Sequence, residues 1–538
     1  ASGVLVAPNY MLTAAHVAKT TPIQFQLGSG QYVYAWTSLH PSWTDDYSLG
    51  NDLALVRLNT LVLDEQPAVL YGANEVGQIA TIVGYGMTGT GVTGAVNPAG
   101  TKRAGLNVLD ASGTTAGYSS NVAVADFDRT APFDNWFGSG LPQAMEYLAA
   151  PGDSGGGVFV NDGGVQKLAG ITSFVFSRDG DPNSDYGDGM AVSRLSLYST
   201  WLNGLLSQSY TLNWNTSSGG FNVAGNWIGD RSGTQYNFVP GSLDAVRFAT
   251  SGAHAVTFPA GDLRNASAVV AAGNVTWDLA GRQYTLTTTA QTSLVVGETA
   301  GVSTSLAFGN GTLHTRDAAI GTGAGGMAAM TVSTGGAWQA TGSIYVGGNS
   351  LGPLASGQLA LQSGSSVSAT VGATVWSTGT LTLAHGSFTA PALSVHGRLA
   401  GAGTVQGDVE VASGGVIAPS AVAVGQAGLA IDSLRMLDYT FLDVPLAGSH
   451  NGRLTIDGLL VVQQSPDEGP AGTVLRLTGD VSHNGYRYLL ASFADIDFAV
   501  GSEVNELGQF FEVRYNGLAI ADPTAPGAIG GTHYLAYS

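Results

Sequence analysis

Short apolar stretches that end in glycine recur through the second half of this chain. An apolar residue, any residue, a second apolar residue, two further residues and a glycine stand at Met330–Gly335, Leu359–Gly364, Leu381–Gly386 and Val409–Gly414. A period of about 20–30 residues is typical of solenoids, in which each repeat is one coil stacked on its neighbours. The pattern predicts a parallel β-solenoid over residues 265–538, with apolar side chains stacked inside and glycines at the corners.

The composition agrees with many short strands and turns. Glycine accounts for 78 of the 538 residues, about twice the usual share, and only 11% of residues are charged. The 44% of hydrophobic residues argues against a disordered chain. A chain of this length is expected to hold about two to four domains. We divide it into a first domain at 1–205, a linker and first cap of the solenoid at 206–264, and the solenoid at 265–538, where Tyr486–Leu490 and Phe511–Asn516 are predicted capping strands.

Charge and cysteine content exclude several classes of function. The net charge is −19 and no lysine follows Lys167, which argues against nucleic acid or an anionic membrane as a partner. The chain has no cysteine, so it has no disulfide, thiol nucleophile or cysteine-based zinc site. No apolar run is long enough to cross a membrane as a helix. Because Gly3–Val6 already reads as a strand, we expect further residues upstream.

Three segments of the first domain carry residues suited to nucleophilic catalysis. His16 follows the small residues Thr13–Ala15, Asp52 heads the strand Leu53–Leu58, and Ser154 lies in the glycine-rich run Gly152–Gly157. A serine needs a base, and the base needs a group to orient it. Taken singly, each has a plain alternative: a core histidine, a strand-start cap and a turn. His40 stands before a proline in a loop and is a poor base. Alternation along the strand predicts that Leu53 and Leu55 are core and that Arg57 points outward.

Taken together, these motifs resemble the trypsin/chymotrypsin-like serine peptidases, because His, Asp and Ser follow in that family's order. The resemblance covers residues 1–205 and implies an all-β fold of two β-barrels. It also implies that Ser154 is the nucleophile, that His16 is the base and then the acid, and that Asp52 orients the imidazole. The N–H groups of Gly152 and Ser154 would form the oxyanion hole.

The resemblance also places a specificity pocket. Its predicted lining consists of small and apolar residues, without an acid at the floor: Leu148, Ala149, Ser173, Val175 and Met190. We therefore expect cleavage after small or medium apolar residues of protein or peptide substrates, and not after Arg or Lys.

Two departures from the family stand out. The usual pairing cysteines are absent, with Ala1 and Val17 at one such pair of positions. Asp153 matches the acid that in the family pairs with a freed N-terminal amine, and the strand that would supply this amine is not in the sequence. The resemblance thus implies an N-terminally incomplete domain whose activated state is open.

One loop has the ligand spacing of a calcium site. Asp179, Asp181, Asn183 and Asp185 alternate with other residues, but Met190 stands where a closing glutamate is expected. The resemblance implies no required cofactor, so calcium stays open against a plain acidic turn.

The solenoid resembles autotransporter-associated β-strand repeats of bacterial surface proteins, chiefly at 397–409 and 411–419. This implies a secreted or surface-displayed protein of bacterial type, with attachment through segments outside this sequence. Asp408 and Glu410 share a strand face that we interpret as solvated, and His385 and His396 as structural. A spacer, adhesive or presenting role is favoured over a second, carbohydrate-acting site. The leading hypothesis is a serine endopeptidase carried by a solenoid; the alternative is a non-enzymatic adhesin with an inactive peptidase-like head.

Overall fold

The structure of the chain is a computed structural model. It describes residues 1–20, 22–130, 135–138, 140–289, 292–423, 426–447, 450–462, 473–480, 491–498, 512–515 and 518–520. The chain forms two compact units. The first comprises residues 1–209, 223–225 and 231–241, and the second comprises 210–222, 226–230 and 242–538. The domain boundaries drawn from composition stay predictions.

The first unit begins with a five-stranded antiparallel sheet in the order β1-β2-β5-β4-β3. Pairing of β2 with β5, from Tyr10 opposite Arg57 to Thr13 opposite Ala54, brings the chain after β2 next to the chain before β5. A short helix follows β2 directly. The elements of this half are β1 (Val4–Ala7), β2 (Tyr10–Thr13), α1 (Ala15–Ala18), β3 (Gln24–Leu27), β4 (Gly30–Leu39), a 3₁₀ turn (Tyr47–Leu49) and β5 (Ala54–Leu58).

A seven-stranded antiparallel sheet in the order β10-β11-β14-β13-β12-β6-β9 forms the other half of this unit. The tight β12–β13 hairpin and its neighbour β14 lie at its centre. The strands of this sheet are β6 (Ile79–Gly84), β9 (Arg103–Val108), β10 (Ala111–Ser112), β11 (Val122–Asp126), β12 (Gly157–Asp162), β13 (Val165–Phe176) and β14 (Gly189–Arg194). The strands β7 (Thr88–Thr90) and β8 (Gly94–Asn97) form a separate hairpin. This half also contains 3₁₀ turns at Gly113–Ala116 and Leu195–Tyr198 and a closing helix, α2 (Ser199–Leu206).

The prediction that Arg57 points outward is wrong. All five residues of β5 are buried, and Arg57 is 1% exposed. Its guanidinium donates to the Tyr10 hydroxyl at 3.2 Å and to the Val239 carbonyl at 3.3 Å, and it lies 4.9 Å from the centroid of the Phe238 ring. The segment 231–241 covers this face of the strand, although it lies far away in sequence. The alternation of residues within β5 therefore could not predict that a distant segment buries Arg57.

The second unit is built almost entirely of strands, most of which pair in parallel with strands of the next coil. Along the chain, the 3₁₀ turn Ala224–Asn226 and β17 (Trp227–Arg231) contain residues of both units, and β18 (Thr234–Tyr236) belongs to the first. The other strands of the second unit are β15 (Thr211–Trp214), β16 (Ser218–Gly220), β19 (Ala245–Phe248), β20 (Ala253–Thr257), β21 (Leu263–Asn265), β22 (Ser267–Val270), β23 (Gly273–Leu286), β24 (Leu294–Val296), β25 (Thr304–Thr315), β26 (Ala318–Ile320), β27 (Met327–Val332), β28 (Gly336–Ala340), β29 (Ser343–Val346), β30 (Gly348–Asn349), β31 (Gly352–Pro353), β32 (Ser356–Leu361), β33 (Ser366–Ala369), β34 (Gly372–Val375), β35 (Gly379–Val395), β36 (Arg398–Val411), β37 (Val416–Pro419), β38 (Ala421–Ala423), β39 (Leu429–Met436), β40 (Phe441–Ala447), β41 (His450–Gly452), β42 (Leu454–Val462), β43 (Val474–Asp480), β44 (Ala491–Phe498), β45 (Glu512–Tyr515) and β46 (Leu518–Ile520).

Parallel pairing stacks buried aliphatic side chains in register from coil to coil. Because partners in adjacent strands lie about 4.8 Å apart, each apolar side chain rests on the one before it. One such ladder, at most 3% exposed at any position, runs through Leu306, Met330, Leu359, Leu381, Leu399, Ile417 and Leu442. Three of the four strand starts that the sequence pattern singled out stand in this ladder. Residue pattern and packing thus agree.

The predicted corners are glycines with positive φ in three of four cases. Gly335, Gly364 and Gly414 have φ values of +74°, +73° and +84°, which favour glycine. At Leu381–Gly386 the strand β35 continues past the glycine, and the residue with positive φ is His385, at +64°. The all-β fold class, a trypsin-like pair of sheets followed by a parallel solenoid, is confirmed. Of the predicted capping strands, Glu512–Tyr515 forms β45, and Tyr486–Leu490 lies outside the described residues.

Candidate active site

The fold brings His16 and Asp52 together at one end of the first sheet. His16 lies on α1 directly after β2, and Asp52 directly precedes β5, the strand paired with β2. His16 Nδ1 lies 2.8 Å from Asp52 Oδ2, and the main-chain N–H of His16 donates to Asp52 Oδ1 at 2.9 Å. A proton on Nδ1 leaves Nε2 as an acceptor, which is the form that a general base requires.

Asp52 is fully buried, so its charge depends on the donors around it. Besides the two His16 contacts, Ser173 Oγ donates to Asp52 Oδ2 at 2.5 Å. The Ser193 hydroxyl donates to the Asp52 carbonyl at 3.3 Å. Ser173 and Ser193 stand on β13 and β14, so the second sheet helps to hold an acid that the first sheet supplies.

The residue before Asp52 is held in an unusual conformation. Asn51 has a φ of +64°, which is uncommon for a residue with a side chain. The Tyr198 hydroxyl accepts from the Asn51 N–H at 3.0 Å and donates to Asn51 Oδ1 at 3.2 Å. Burial raises the pKa of Tyr198 to about 12. This tyrosine, at the end of a 3₁₀ turn, fixes the bend from which the Asp52 side chain starts.

Ser154 lies in the turn that leads into β12. Its hydroxyl donates to the Ser173 carbonyl at 3.4 Å, so Ser173 contacts both Ser154 and Asp52. Within the described part of the chain, no hydrogen bond joins Ser154 directly to His16. Contacts between nucleophile and base are often long before substrate binds, so this geometry is compatible with the predicted roles.

The backbone of this turn offers hydrogen-bond donors. Gly152 has a φ of +102°, and among the described residues neither its N–H nor that of Ser154 donates to a protein acceptor. Met87 N–H donates to the Pro151 carbonyl at 2.9 Å, and Gly155 N–H to the Thr172 carbonyl at 2.8 Å, which anchor the turn on both sides. Two such N–H groups beside a serine suit stabilisation of an oxyanion.

Asp153 points away from this surface into the protein and is 2% exposed. Gly86 N–H donates to its Oδ1 at 2.6 Å, and Ala150 N–H and the Tyr147 hydroxyl each donate to its Oδ2 at 2.9 Å. A Cβ at Gly84 or Gly86 would collide with this carboxylate. The resemblance implied an amine partner, whereas the described partners of Asp153 are neutral donors.

The predicted pocket residues gather around the second sheet. Leu148, Ala149 and Met190 are buried in one apolar cluster, and Val175 packs against it. Met190 pairs with Val175 across β13 and β14. Ser173 is also buried, and its hydroxyl is engaged by Asp52. None of these side chains carries a charge, which fits the predicted apolar specificity; the pocket assignment itself stays a prediction.

Aromatic side chains line the surface beside His16. The Tyr47 ring stands edge-on to the His16 ring at 5.5 Å, and Phe174 lies 5.3 Å from Tyr47. Tyr118 continues the row 5.0 Å from Phe174. Tyr47 is exposed, and Phe174 and Tyr118 are half-buried. Sequence reasoning missed this surface, because Tyr47 and Tyr118 lie in loops without a motif.

The predicted calcium loop forms local turns. Asp179 Oδ1 accepts from Asp181 N–H at 2.8 Å, and Asn183 Oδ1 from Asp185 N–H at 3.1 Å. Asp179 and Asp181 are exposed. Across the described ranges no group of three His, Cys, Asp or Glu side chains has an arrangement suited to a metal ion. Calcium binding at this loop stays a prediction.

A set of buried acids, which no sequence motif predicted, lies between the end of β11 and the turn at Gly152–Gly157. Asp126 and Asp128 are 0% and 2% exposed, and Glu146 is half-buried beside them. Burial raises the pKa of Asp128 to about 7, with a contribution from the charge of Asp126. Burial likewise raises the pKa of Glu146 to about 7, with contributions from Asp128 and Asp126. Both causes, burial and the proximity of the acids, arise only in the folded chain.

The first part of the chain matches a known family. Residues 1–201 match the family model described as Trypsin. The match covers less than half of the chain and supports a Trypsin domain over these residues. The chain is also similar to a solved structure described as neuropsin, a serine protease expressed in the limbic system of mouse brain. That similarity has 22% identity and a TM-score of 0.29, over 38% of this chain and 87% of the other. No curated protein matches the chain.

In the ranges that the structure describes, no helix is long and apolar enough to span a bilayer.

Proposed function

We propose that the first unit is an active serine endopeptidase that uses Ser154, His16 and Asp52. One observation carries the proposal: a buried Asp52 bonded to His16 at 2.8 Å and to Ser173 at 2.5 Å, with Ser154 bonded to the same Ser173. Ser173 thus links Ser154, through its carbonyl, to the Asp52–His16 pair, through its hydroxyl. If the first unit were a decayed, non-enzymatic head, there would be no reason for these contacts to be retained.

In the proposed reaction, Ser154 Oγ attacks the carbonyl carbon of the scissile peptide bond while His16 Nε2 takes the hydroxyl proton. The N–H groups of Gly152 and Ser154 stabilise the oxyanion of the tetrahedral intermediate. His16 then gives its proton to the leaving amine, and an acyl-enzyme forms on Ser154. Water, activated by His16, hydrolyses that ester and regenerates the serine. Asp52 orients the imidazole throughout and stabilises its protonated form.

The proposed substrates are proteins or peptides with a small or medium apolar residue before the scissile bond. The apolar surroundings of Leu148, Ala149 and Met190 support this, as does Val175 at the edge of the site. A buried cationic side chain would find no acid among these residues. No cofactor takes part in the proposed chemistry, and calcium at Asp179–Asp185 would act on loop stability only; a melting temperature that calcium leaves unchanged would remove that role.

For the solenoid we propose a carrier, spacer or presenting role in a secreted or surface-displayed protein, on the strength of its resemblance to autotransporter-associated repeats. The strand face with Asp408 and Glu410 is exposed, and Glu410 lies 3.8 Å from Arg435, which fits a solvated face. His396 stacks on Trp376 at 5.1 Å, which fits a structural role. Sugar turnover that survives removal of residues 1–205 would instead favour a carbohydrate-acting solenoid.

A peptide library, incubated with the full chain and with Ser154→Ala, tests the peptidase proposal. We expect the wild-type protein to cleave after residues such as Ala, Val or Leu, and the variant to lose all cleavage while keeping its melting temperature. Loss of the acyl-forming serine typically costs about 10⁶-fold in kcat. Equal cleavage by the variant, or a strong preference for Arg or Lys, would contradict the proposal.

A further inference from the structure

We infer that Tyr147 is a positioning residue of this peptidase, which holds the oxyanion turn in place through the buried carboxylate of Asp153. The inference rests on the proposed function and assigns a role that none of the catalytic motifs contains. Among the described hydrogen bonds, none joins Tyr147 to Ser154 or His16. The Tyr147 hydroxyl donates to Asp153 Oδ2 at 2.9 Å, and Asp153 stands between Gly152 and Ser154, the two residues whose N–H groups form the proposed oxyanion hole.

Asp153 is joined to Ala150, at the start of the same turn, by two hydrogen bonds. Its main-chain N–H donates to the Ala150 carbonyl at 2.9 Å, and its side chain accepts from the Ala150 N–H at 2.9 Å. Rotation of the carboxylate would therefore release one end of the turn. The direction of the neighbouring N–H groups depends on where this side chain sits.

Only three donors hold the carboxylate among the described residues. Gly86 N–H serves Oδ1, while Ala150 N–H and Tyr147 serve Oδ2, and no described cation forms an ion pair with it. An ionised acid buried at 2% exposure needs such bonds, because each lost charge-assisted bond leaves a costly unsatisfied oxygen. Two of the donors belong to the backbone. Tyr147 supplies the remaining bond and is the one donor that a side-chain substitution can remove.

Tyr147 is itself held firmly enough to position another group. Its N–H donates to the Leu106 carbonyl at 2.9 Å, and its carbonyl accepts from Asn107 Nδ2 at 3.0 Å. Its ring packs against the apolar cluster that includes Leu148 and Ala149. Burial, and then the charge of Asp153, raise the pKa of the Tyr147 hydroxyl well above its usual value, partly offset by Arg103. The hydroxyl therefore stays protonated, and stays a donor, throughout the working pH range.

Removal of this hydroxyl should harm the transition state more than the bound substrate. The oxyanion hole aligns with a tetrahedral oxygen that exists only in the transition state and intermediate, whereas the predicted pocket side chains Leu148 and Ala149 are unchanged in Tyr147→Phe. For Tyr147→Phe we expect kcat on a peptide substrate to fall by about 10- to 100-fold, the range of one charge-assisted hydrogen bond. KM should change by less than about twofold, since the loss is confined to the transition state.

Tyr71→Phe is the matched control. Tyr71 packs against the same apolar cluster as Tyr147, and its hydroxyl takes no part in the Asp153 hydrogen bonds. The full-length wild type and both variants are compared for kcat, KM, melting temperature and affinity for a peptidyl boronic acid ending in boroalanine, whose adduct with Ser154 places an oxygen in the oxyanion hole. We expect kcat and boronate affinity to fall together in Tyr147→Phe alone, with the variant still folded.

Two outcomes would overturn the inference: unchanged kcat in Tyr147→Phe, or a loss of kcat without a parallel loss of boronate affinity. If Tyr147→Phe is unfolded, Tyr147→His in a folded protein repeats the test, because its ring reaches less far toward Asp153; wild-type kcat in that variant would also overturn it. A wild-type protein no more active than Ser154→Ala would instead refute the proposed function. The two failures are therefore separate.

Discussion

At the scale of single residues, the site depends on Asp52 more than on any other buried group. It accepts from the His16 N–H and the Ser173 hydroxyl and contacts the imidazole at 2.8 Å. An acid in this position would hold one tautomer of the histidine, so we expect its substitution to lower the reaction rate more than the stability.

Asp52→Asn tests that role. The amide would favour the wrong imidazole tautomer, and we expect kcat to fall by about 10⁴-fold. Ser173→Ala removes one donor to the same carboxylate and leaves the His16 contact, so a smaller loss of about tenfold is expected. Steady-state kinetics on one apolar peptide, with melting temperatures for both variants, measure the two effects. An Asp52→Asn protein that keeps more than about a tenth of wild-type kcat would contradict the assignment.

The motifs singled out Ser154 and its neighbours as candidate catalytic residues, a role that stays a prediction, but they did not reveal the hydrogen-bond partners of Asp153. The order of His16, Asp52 and Ser154 indicated a peptidase, because three motifs in sequence are more specific than one. The contact between Tyr147 and Asp153 joins residues six apart, and nothing in a Met-Glu-Tyr-Leu segment marks the tyrosine as a donor. The available sequence signal was the pair of glycines that flank Tyr85, since glycines often mark a place where another group approaches the backbone closely. In the structure that group is the Asp153 carboxylate, which lies against Gly84 and Gly86.

At the scale of elements, we expect the acids between β11 and the turn at Gly152–Gly157 to make the stability of the first unit depend on pH. Asp128 Oδ1 and Glu146 Oε1 are buried and lack a hydrogen-bond partner within the described residues. Both have a pKa of about 7, above the value of an unfolded carboxyl, so the folded chain binds the proton more tightly than the unfolded chain. Their contribution to stability is therefore present at low pH and lost as the pH rises from about 4 through 7.

Asp128→Asn should accordingly stabilise the first unit at pH 8, and by a smaller amount at pH 5.5, where the contribution to stability is only partly lost. In the wild type the acid is protonated at the lower pH and carries a buried charge at the higher one. Each kcal/mol is worth about 2–4 °C for a unit of this size, so we expect a shift of a few degrees. Melting temperatures at both pH values measure it, with Asp179→Asn as an exposed control. A shift of equal size at both pH values would rule out ionisation of the buried acid as its cause.

The positions of the strands were easier to predict from the sequence than the residues that cover each strand. The solenoid pattern located the in-register ladder at Met330, Leu359 and Leu381, because stacking in parallel coils demands an apolar residue at each level. The same pattern predicted a corner at Gly386. In the structure the residue with positive φ is His385, because one such residue is enough to turn the chain. The prediction that Arg57 points outward was wrong for a different reason, because the residues that bury Arg57 come from far along the chain.

At the scale of the whole molecule, the peptidase unit extends beyond its family match. Residues 231–241 belong to this unit, whereas the match ends at residue 201. Phe238 is fully buried, lies 4.8 Å from Trp36 with the rings edge-on, and covers the Arg57 guanidinium. A segment outside the family model thus completes the back of the first sheet.

Phe238→Ala should destabilise that sheet. Truncation of a buried phenylalanine typically costs about 3–5 kcal/mol, and at this position it would also uncover a buried charge. Hydrogen exchange followed by mass spectrometry should show faster exchange across β5, where Arg57 lies. Leu243→Ala, at a 46% exposed position, is the control. Unchanged exchange in β5 would show that the first sheet does not depend on this segment.

Labelling of the folded full-length chain by a fluorophosphonate tests the central claim most directly, because the reagent needs an activated serine and no particular peptide. We predict one adduct, mapped by mass spectrometry to Ser154 and absent from Ser154→Ala and His16→Ala proteins. Failure of the folded wild-type chain to react, or labelling that persists in Ser154→Ala, would contradict the claim that this site is a working serine peptidase.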